Sequence, residues 1–197
     1  MKPSYLASLP RFETERLVVR LASDPDVPEI VRYFDENREH LRPFDPVRPP
    51  AFFEPRFWDA QVKQSVTEYL GDRALRLFLF LAEPPHSIVG TVNFTRIERG
   101  VSQSCSLGYG LAATAQGKGY MEEALRPAID FVFRSLRLHR IEADYMPHNR
   151  RSGNLLRRLG FVVEGYARDY LLINGRWEDH VLTSLTHADW EPPPGPL

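Results

Sequence analysis

A chain of 197 residues with 25 Lys+Arg, 26 Asp+Glu and a net charge of −1 has room for one domain but not for two independent enzymes, and it carries no global field for nucleic acid or an anionic membrane. At this length about 70% of the unfolded chain's surface can be buried, so no metal or disulfide staple is needed. The single cysteine, Cys105, excludes an internal disulfide and a cysteine-rich metal site and fits a reducing cytoplasm; its ordinary reading is a small buried apolar residue.

In chain order, Arg16 to Leu21 reads as a short apolar strand, closed by Ser23-Asp24-Pro25, where Asp24 can cap a helix running from Pro25 to about Phe34. Between Asn37 and Arg56 five prolines alternate with Phe44, Phe52 and Phe53. That stretch suits either a packed loop over the core or a wall of a substrate pocket. A helix over 55–70 is expected next, then a meander of three strands at Leu75 to Ala82, Ile88 to Arg96 and Gln103 to Leu111. A loop, a helix over about 120–135, a strand over 140–145, a helix over about 151–159 and a closing hairpin complete the order. Leu125, Ala128, Ile129, Val132 and Leu136 give the first of these late helices one buried face, and Pro127 inside it is expected to kink it. Asn174-Gly175 is the preferred pair for a two-residue type I′ turn. Counting outward from that turn, Ile173 faces Arg176, Tyr170 faces Asp179 and Asp169 faces His180.

The longest purely apolar run, Leu77 to Ala82, is far short of the ~20 residues of a membrane helix. Pro3, Ser4, Ser8 and Pro10 interrupt the start of the chain, so no export signal is expected and the protein is placed in the cytoplasm. The charge is uneven: residues 116–160 hold 9 Lys+Arg against 5 Asp+Glu. That segment contains Gln116-Gly117-Lys118-Gly119-Tyr120, which follows a strand and opens a helix. Such a turn can aim several backbone N–H groups at a phosphate on the positive end of a helix dipole, or it can be only a tight turn. It is not a Walker loop, because Gly119 stands where Ser or Thr would follow Gly-Lys, and it lacks the third glycine of the dinucleotide fingerprint.

With Gln116, Gly119, then Asn149, Ser152 and Gly160-Phe161 in that order, the chain resembles the GNAT acetyltransferases. Met121 departs from that family's Gly or Ala. The opening Thr14-Glu15-Arg16-Leu17-Val18-Val19-Arg20, the stretch from Tyr145 to Gly153 and the segment from Tyr170 to His180 are similar to the RimJ/RimL branch, RimJ more than RimL, which acetylates N-terminal α-amines of ribosomal proteins. The resemblance covers about residues 12–190. It implies an α+β fold, a twisted mixed β-sheet with helices on both faces, preceded by an extension over 1–11 and followed by a Pro-rich, frayed tail over 191–197.

The resemblance further implies acetyl-CoA as cosubstrate and no metal. The pyrophosphate would lie on Gln116, Gly117, Lys118, Gly119, Tyr120 and Met121. Backbone groups of Tyr109 and Leu111 would pair with the pantetheine arm where their strand splays from its neighbour, and Asn149 would sit at the mouth of that gap. Leu156 stands where many relatives have a tyrosine that protonates the departing thiolate, so Ser152 is the substitute donor, unless it is only a helix cap. The position some relatives give to a carboxylate base is held by Leu171; Asp169, on the same face and opposite His180, is the candidate base, unless it is an ordinary cross-strand ion pair. Glu142 and Asp144 stand in reserve. Arg150-Arg151 and Arg157-Arg158 can meet the 3′-phosphate or an acidic partner, or be merely solvated. The acceptor implied is the N-terminus of a protein, a ribosomal one, attacked directly without an acyl-enzyme. A small-molecule amine, or a non-catalytic ribosome-assembly role, is the alternative. No membrane or nucleic-acid site is evident, and oligomeric state is not legible.

Overall fold

The computed structural model describes residues 9–192. The chain enters as a hairpin of β1 (Arg11–Glu13) and β2 (Leu17–Arg20), so the first strand starts at the last residue of the expected extension. The remainder of that extension up to residue 8, and the tail from residue 193, lie outside the described residues. At Ser23 the expected Asp24 cap is corrected. The Ser23 N–H and hydroxyl both donate to the Asp26 carboxylate at 2.7 Å, a 3₁₀ turn occupies Asp24–Asp26, and α1 (Val27–Glu36) begins only after it. Hydrogen bonds from Arg20 and Ser23 outweigh burial and hold the Asp26 carboxyl below the usual carboxylate range.

The proline-rich stretch is more helical than its prolines suggest. It holds α2 (Arg38–Leu41) and two 3₁₀ turns, Arg42–Phe44 and Pro50–Phe53, each with proline in its first turn, where the missing N–H costs nothing. Both expectations for it hold in part. Phe52 is buried edge-on against Phe34, 4.8 Å between ring centres, whereas Phe44 stands in a cavity wall. Next come α3 (Pro55–Leu70), β3 (Leu75–Leu81), β4 (Ile88–Glu98), β5 (Ser104–Leu111), α4 (Tyr120–Arg134) and β6 (Arg140–Tyr145). The chain closes with α5 (Arg150–Arg158), β7 (Val162–Ile173) and β8 (Arg176–Thr186).

One sheet contains all eight strands in the order β1-β2-β3-β4-β5-β6-β8-β7, antiparallel except for β5 beside β6. Leu77, Phe78, Leu79 and Phe80 are consecutive in β3 and all buried, which requires cover on both faces. Trp58 of α3 meets Phe78 on one of them, and α4 carries the stripe Leu125, Ala128, Ile129 and Val132 into the core. Pro127 lies inside α4 and leaves the Glu123 carbonyl without its helical donor.

Two features of the sheet matter for the site. First, β5 pairs with β6 only over Ser104, Cys105 and Ser106; from Leu107 on, the strands part, and the rest of β6 pairs only with β8. Second, the hairpin is regular only near its turn. Asn174 and Gly175 have φ of 45° and 78°, as a type I′ turn demands, and Ile173 faces Arg176. Beyond Leu171 facing Glu178 a bulge intervenes, so that Ala167, not Asp169, faces His180. The predicted pairings of Tyr170 with Asp179 and of Asp169 with His180 are therefore corrected. Asp169 takes φ 47°, is exposed, and donates its N–H to the Asp179 carboxylate at 2.8 Å.

Candidate active site

The parting of β5 from β6 opens two adjoining cavities, of about 380 and 790 Å³, the range of small-ligand sites. They share the walls Leu41, Phe44 and Asp45 on one side, Tyr109 and Gly110 of β5, and Asn149 and Ser152 at the start of α5.

The larger cavity runs to the glycine turn. Gly117 and Gly119 have φ of 75° and 81°, Gly119 is the residue from which α4 starts, and a Cβ at Gly117 would meet no atom within 4 Å. The result is an open cradle at a helix N-terminus, the arrangement that holds phosphate groups. Gln116, Gly117, Gly119, Tyr120, Met121, Leu111, Tyr109 and Asn149 all line this cavity. Lys118 does not; its side chain is exposed and its carbonyl accepts from Arg16 Nη1 at 2.9 Å. The Met121 side chain is buried, so the departure from Gly or Ala is absorbed by the core.

Arg16 ties the turn in place. It also donates to Glu123 Oε2 from Nε at 2.8 Å and lies over the Tyr120 ring at 4.6 Å, while Thr14 Oγ1 donates to the same carboxylate at 2.6 Å. Burial would raise the Glu123 carboxyl, but these bonds from Thr14 and Arg16 prevail and hold it below its ordinary value. Around the cavity mouth Arg151 bonds Gln116 Oε1, Gln116 Nε2 bonds His40 at 3.0 Å, and Arg158 is paired with Glu122 at 2.8 Å. Two of the four arginines singled out thus line the cavity. Arg157 instead donates to Asn154.

At the start of α5 the roles of two residues separate. Asn149 is the N-cap: its side-chain oxygen accepts from the Ser152 N–H at 3.2 Å. Ser152 is therefore not the cap. Its hydroxyl pairs with the Tyr109 hydroxyl at 2.7 Å, and the Tyr109 phenol, which burial pushes up to about 12, stays protonated. Leu156 is buried and carries no donor.

Cross-strand partners share a face of the sheet. The register consequently puts Thr91, Asn93 and Thr95 of β4, Gly108 and Gly110 of β5, and Glu142 and Asp144 of β6 on one face. On the other face lie Tyr109 and Tyr145, with α5 packed over the Tyr145 ring at Gly153. The smaller cavity is lined on the first face by Thr91, Asn93, Thr95, Asp144 and His180, and at the gap by Tyr109 and Ser152. Asp144 is half-buried: desolvation, helped by the nearby Glu142 charge, raises its carboxyl above the ordinary value, against the pull of His180 and Arg96 and a hydrogen bond from Tyr170. His180 is buried with Nδ1 2.9 Å from the Glu178 carbonyl, which can only accept, so that nitrogen carries the proton. Glu142 is held by Arg140 at 3.0 Å and Asp169 lies away from the gap; neither lines a cavity. Cys105 is buried, and its thiol is pushed up to about 12 by desolvation, which leaves it unreactive. The sequence singles out none of Arg16, His40 and Tyr33 as a site residue: Arg16 reads as the start of a strand, Tyr33 as a core position of a helix, and His40 falls unmarked in the 37–56 stretch expected as a packed loop or pocket wall.

The acetyltransferase (GNAT) domain family matches residues 16–162, and the chain belongs to that family. It is 45% identical over 190 residues to the [ribosomal protein uS5]-alanine N-acetyltransferase of Escherichia coli K12, covering 95% of this chain and 97% of the relative. Among solved structures, the ribosomal-protein-S5-alanine acetyltransferase of Vibrio fischeri shares 42% identity with a TM-score of 0.89, over 93% of this chain and 100% of that one. Mycobacterium smegmatis RimJ in complex with CoA-disulfide shares 25% identity with a TM-score of 0.82, over 94% and 90%. Enzymes of this family take their acetyl group from acetyl-CoA. No helix among the described residues is long and apolar enough to cross a membrane.

Proposed function

We propose that this chain transfers the acetyl group of acetyl-CoA to the N-terminal α-amine of a ribosomal protein, in the cytoplasm. The observation that carries the reading is the meeting of two cavities at the gap between β5 and β6, one ending in a phosphate cradle and the other in a polar stripe ending at Asp144 and His180. The acceptors named for the E. coli and V. fischeri relatives support the choice of substrate. When bound, acetyl-CoA supplies the activated acetyl group. The chain's part is to hold its pyrophosphate on Gln116, Gly117, Gly119, Tyr120 and Met121, with the Lys118 backbone completing the turn, and its pantetheine arm along Tyr109, Leu111 and Asn149.

The remaining chemistry divides between the two faces of the sheet. Tyr109 and Ser152 form a hydroxyl pair on the α5 side, where Ser152 can donate to a departing sulfur and Tyr109 can donate to Ser152. Asp144 and His180 lie on the opposite side, where the amine enters. An α-amine of pKa ~7.8 is about one-third neutral at pH 7.5, so a weak base is enough. With the Asp169–His180 pairing absent, Asp144 takes the base role, its raised affinity for protons making it a better base than an ordinary carboxylate.

The test is a panel of acceptors with acetyl-CoA: transfer is expected to be fastest to peptides with a free N-terminal Ala or Ser, and faster transfer to internal Lys or to spermidine would remove the α-amine assignment. Asp144 is tested separately by the pH profile. In the wild type, log(kcat/KM) should fall on the acid side with a slope of about one from the amine, steepening toward about two as Asp144 also protonates. Asp144→Asn should keep a slope of about one throughout, at a rate lower by roughly 10-fold to 100-fold. A variant with the wild-type steepening would show the base to be another group.

A further inference from the structure

One polar atom beside the gap has no assigned work. Tyr33 of α1 is 1% exposed and its hydroxyl has no hydrogen-bond partner, although a buried hydroxyl is ordinarily paired. The side chain lines the smaller cavity, on the same sheet face as Asp144. Its hydroxyl oxygen lies 3.8 Å from the point where a Cβ on Gly110 would stand, and Thr91 Oγ1 and Leu41 Cδ2 lie 3.6 and 3.7 Å from that point. Gly110 borders both cavities, so the hydroxyl sits next to the place where an amine would reach the thioester, on the acceptor's side of it. Gly108 and Gly110 leave this face of β5 bare of side chains, with no atom within 4 Å of a Cβ at Gly108, so that a peptide backbone can approach closely. Burial, and then the Asp45 charge, raise the phenol's affinity for its proton, so it is a donor at every working pH.

Resting on the α-amine reading above, we infer that the Tyr33 hydroxyl donates a hydrogen bond to the carbonyl oxygen of the acceptor's first residue. That oxygen is three bonds from the attacking amine in every peptide N-terminus, so a bond to it fixes where the amine points. The acceptor reaches the hydroxyl by displacing the Leu41 side chain, which is only half-buried and shares the contact at Gly110. The bond would select for an amine with a carbonyl next to its α-carbon. Polyamines and lysine side chains have none there, so Tyr33 would be a determinant of acceptor class as well as of orientation.

The experiment compares wild type and Tyr33→Phe on an Ala-initiated peptide and on its trans-alkene isostere, in which the first amide and its carbonyl oxygen are replaced by a carbon–carbon double bond. Tyr33→Phe is expected to raise the KM for the parent peptide about tenfold or more, to change the isostere's KM less than about threefold, and to leave the acetyl-CoA KM unaltered. Its Tm should be unchanged or higher, because the hydroxyl it removes has no partner to lose. An unaltered parent KM, an equal loss on both acceptors, or a lowered Tm with a loss shared by acetyl-CoA would overturn the inference. Wild-type enzyme that acetylates spermidine but neither peptide would overturn the α-amine reading, and this inference with it.

Discussion

Gly119→Glu is expected to abolish the stabilisation of the protein by acetyl-CoA. A ligand at about a hundredfold excess over its Kd stabilises the native state by about 2.7 kcal/mol, on the order of 5–10 °C for a chain of this size. Gly119 has φ 81° and opens α4, with Arg16 Nη2 3.5 Å from where its Cβ would be. A glutamate there places a carboxylate in the phosphate cradle, and side chains other than Asn or Asp add about 1–2 kcal/mol of left-handed strain. The unliganded variant should therefore melt a few degrees lower, and its Tm should not move on adding acetyl-CoA. Gly119→Asn separates the two effects, since asparagine tolerates this backbone and brings no charge; it should melt close to the wild type and retain most of the ligand shift. If folded Gly119→Glu shows the full wild-type shift, the turn is not part of the coenzyme site.

Ser152→Ala is expected to lower kcat by roughly 10-fold to 100-fold while leaving the acetyl-CoA KM nearly unchanged. One lost donor to an oxyanion typically costs ~10² to 10³ in turnover, and a softer sulfur needs less. A donor that acts mainly as charge develops affects kcat rather than uniform binding. Because Asn149 is the cap of α5, Ser152→Ala should cost little stability, whereas Asn149→Ala should cost about 1 kcal/mol. Tyr109→Phe, which removes the hydroxyl 2.7 Å behind Ser152, should give part of the Ser152→Ala loss. Wild-type kcat in Ser152→Ala would return the search for the acid to the other side chains lining the gap.

The parts of the fold legible in the sequence were those with local signals. The α3 bounds, β6, and the type I′ turn at Asn174-Gly175 follow from proline, apolar runs and turn chemistry within a few residues. The helical turns within 37–56 were missed because proline density reads as loop, yet Pro43, Pro50 and Pro55 each fall in a first turn, where proline starts a helical segment instead of breaking one, and only Pro46 and Pro49 lie outside the helical turns. Counting outward from the hairpin turn failed at Asp169 for a different reason: a regular ladder was assumed, and nothing at residues 167–171 announces a bulge, since Asp169 reaches positive φ without being glycine. The coenzyme side was legible because its glycines are required by backbone shape. On the acceptor side, Tyr33 falls on the same helical stripe as Ile30 and Phe34 and reads as core; its missing hydrogen-bond partner is visible only in three dimensions.

The clamp around Glu123 also bears on when the enzyme acquires its coenzyme site. Thr14 and Arg16 are joined to Glu123 across 109 and 107 residues of chain, and Arg16 holds the Lys118 carbonyl as well. Closing a loop of that length is entropically costly and slow compared with the helices and hairpins it encloses. The residues that hold the turn are thus synthesised about a hundred residues before the turn itself. The full set of bonds that hold the coenzyme turn is therefore complete only once the β1–β2 hairpin is docked against α4. A nascent chain that stops short of α4, or a fragment that begins after β2, lacks one half of the clamp.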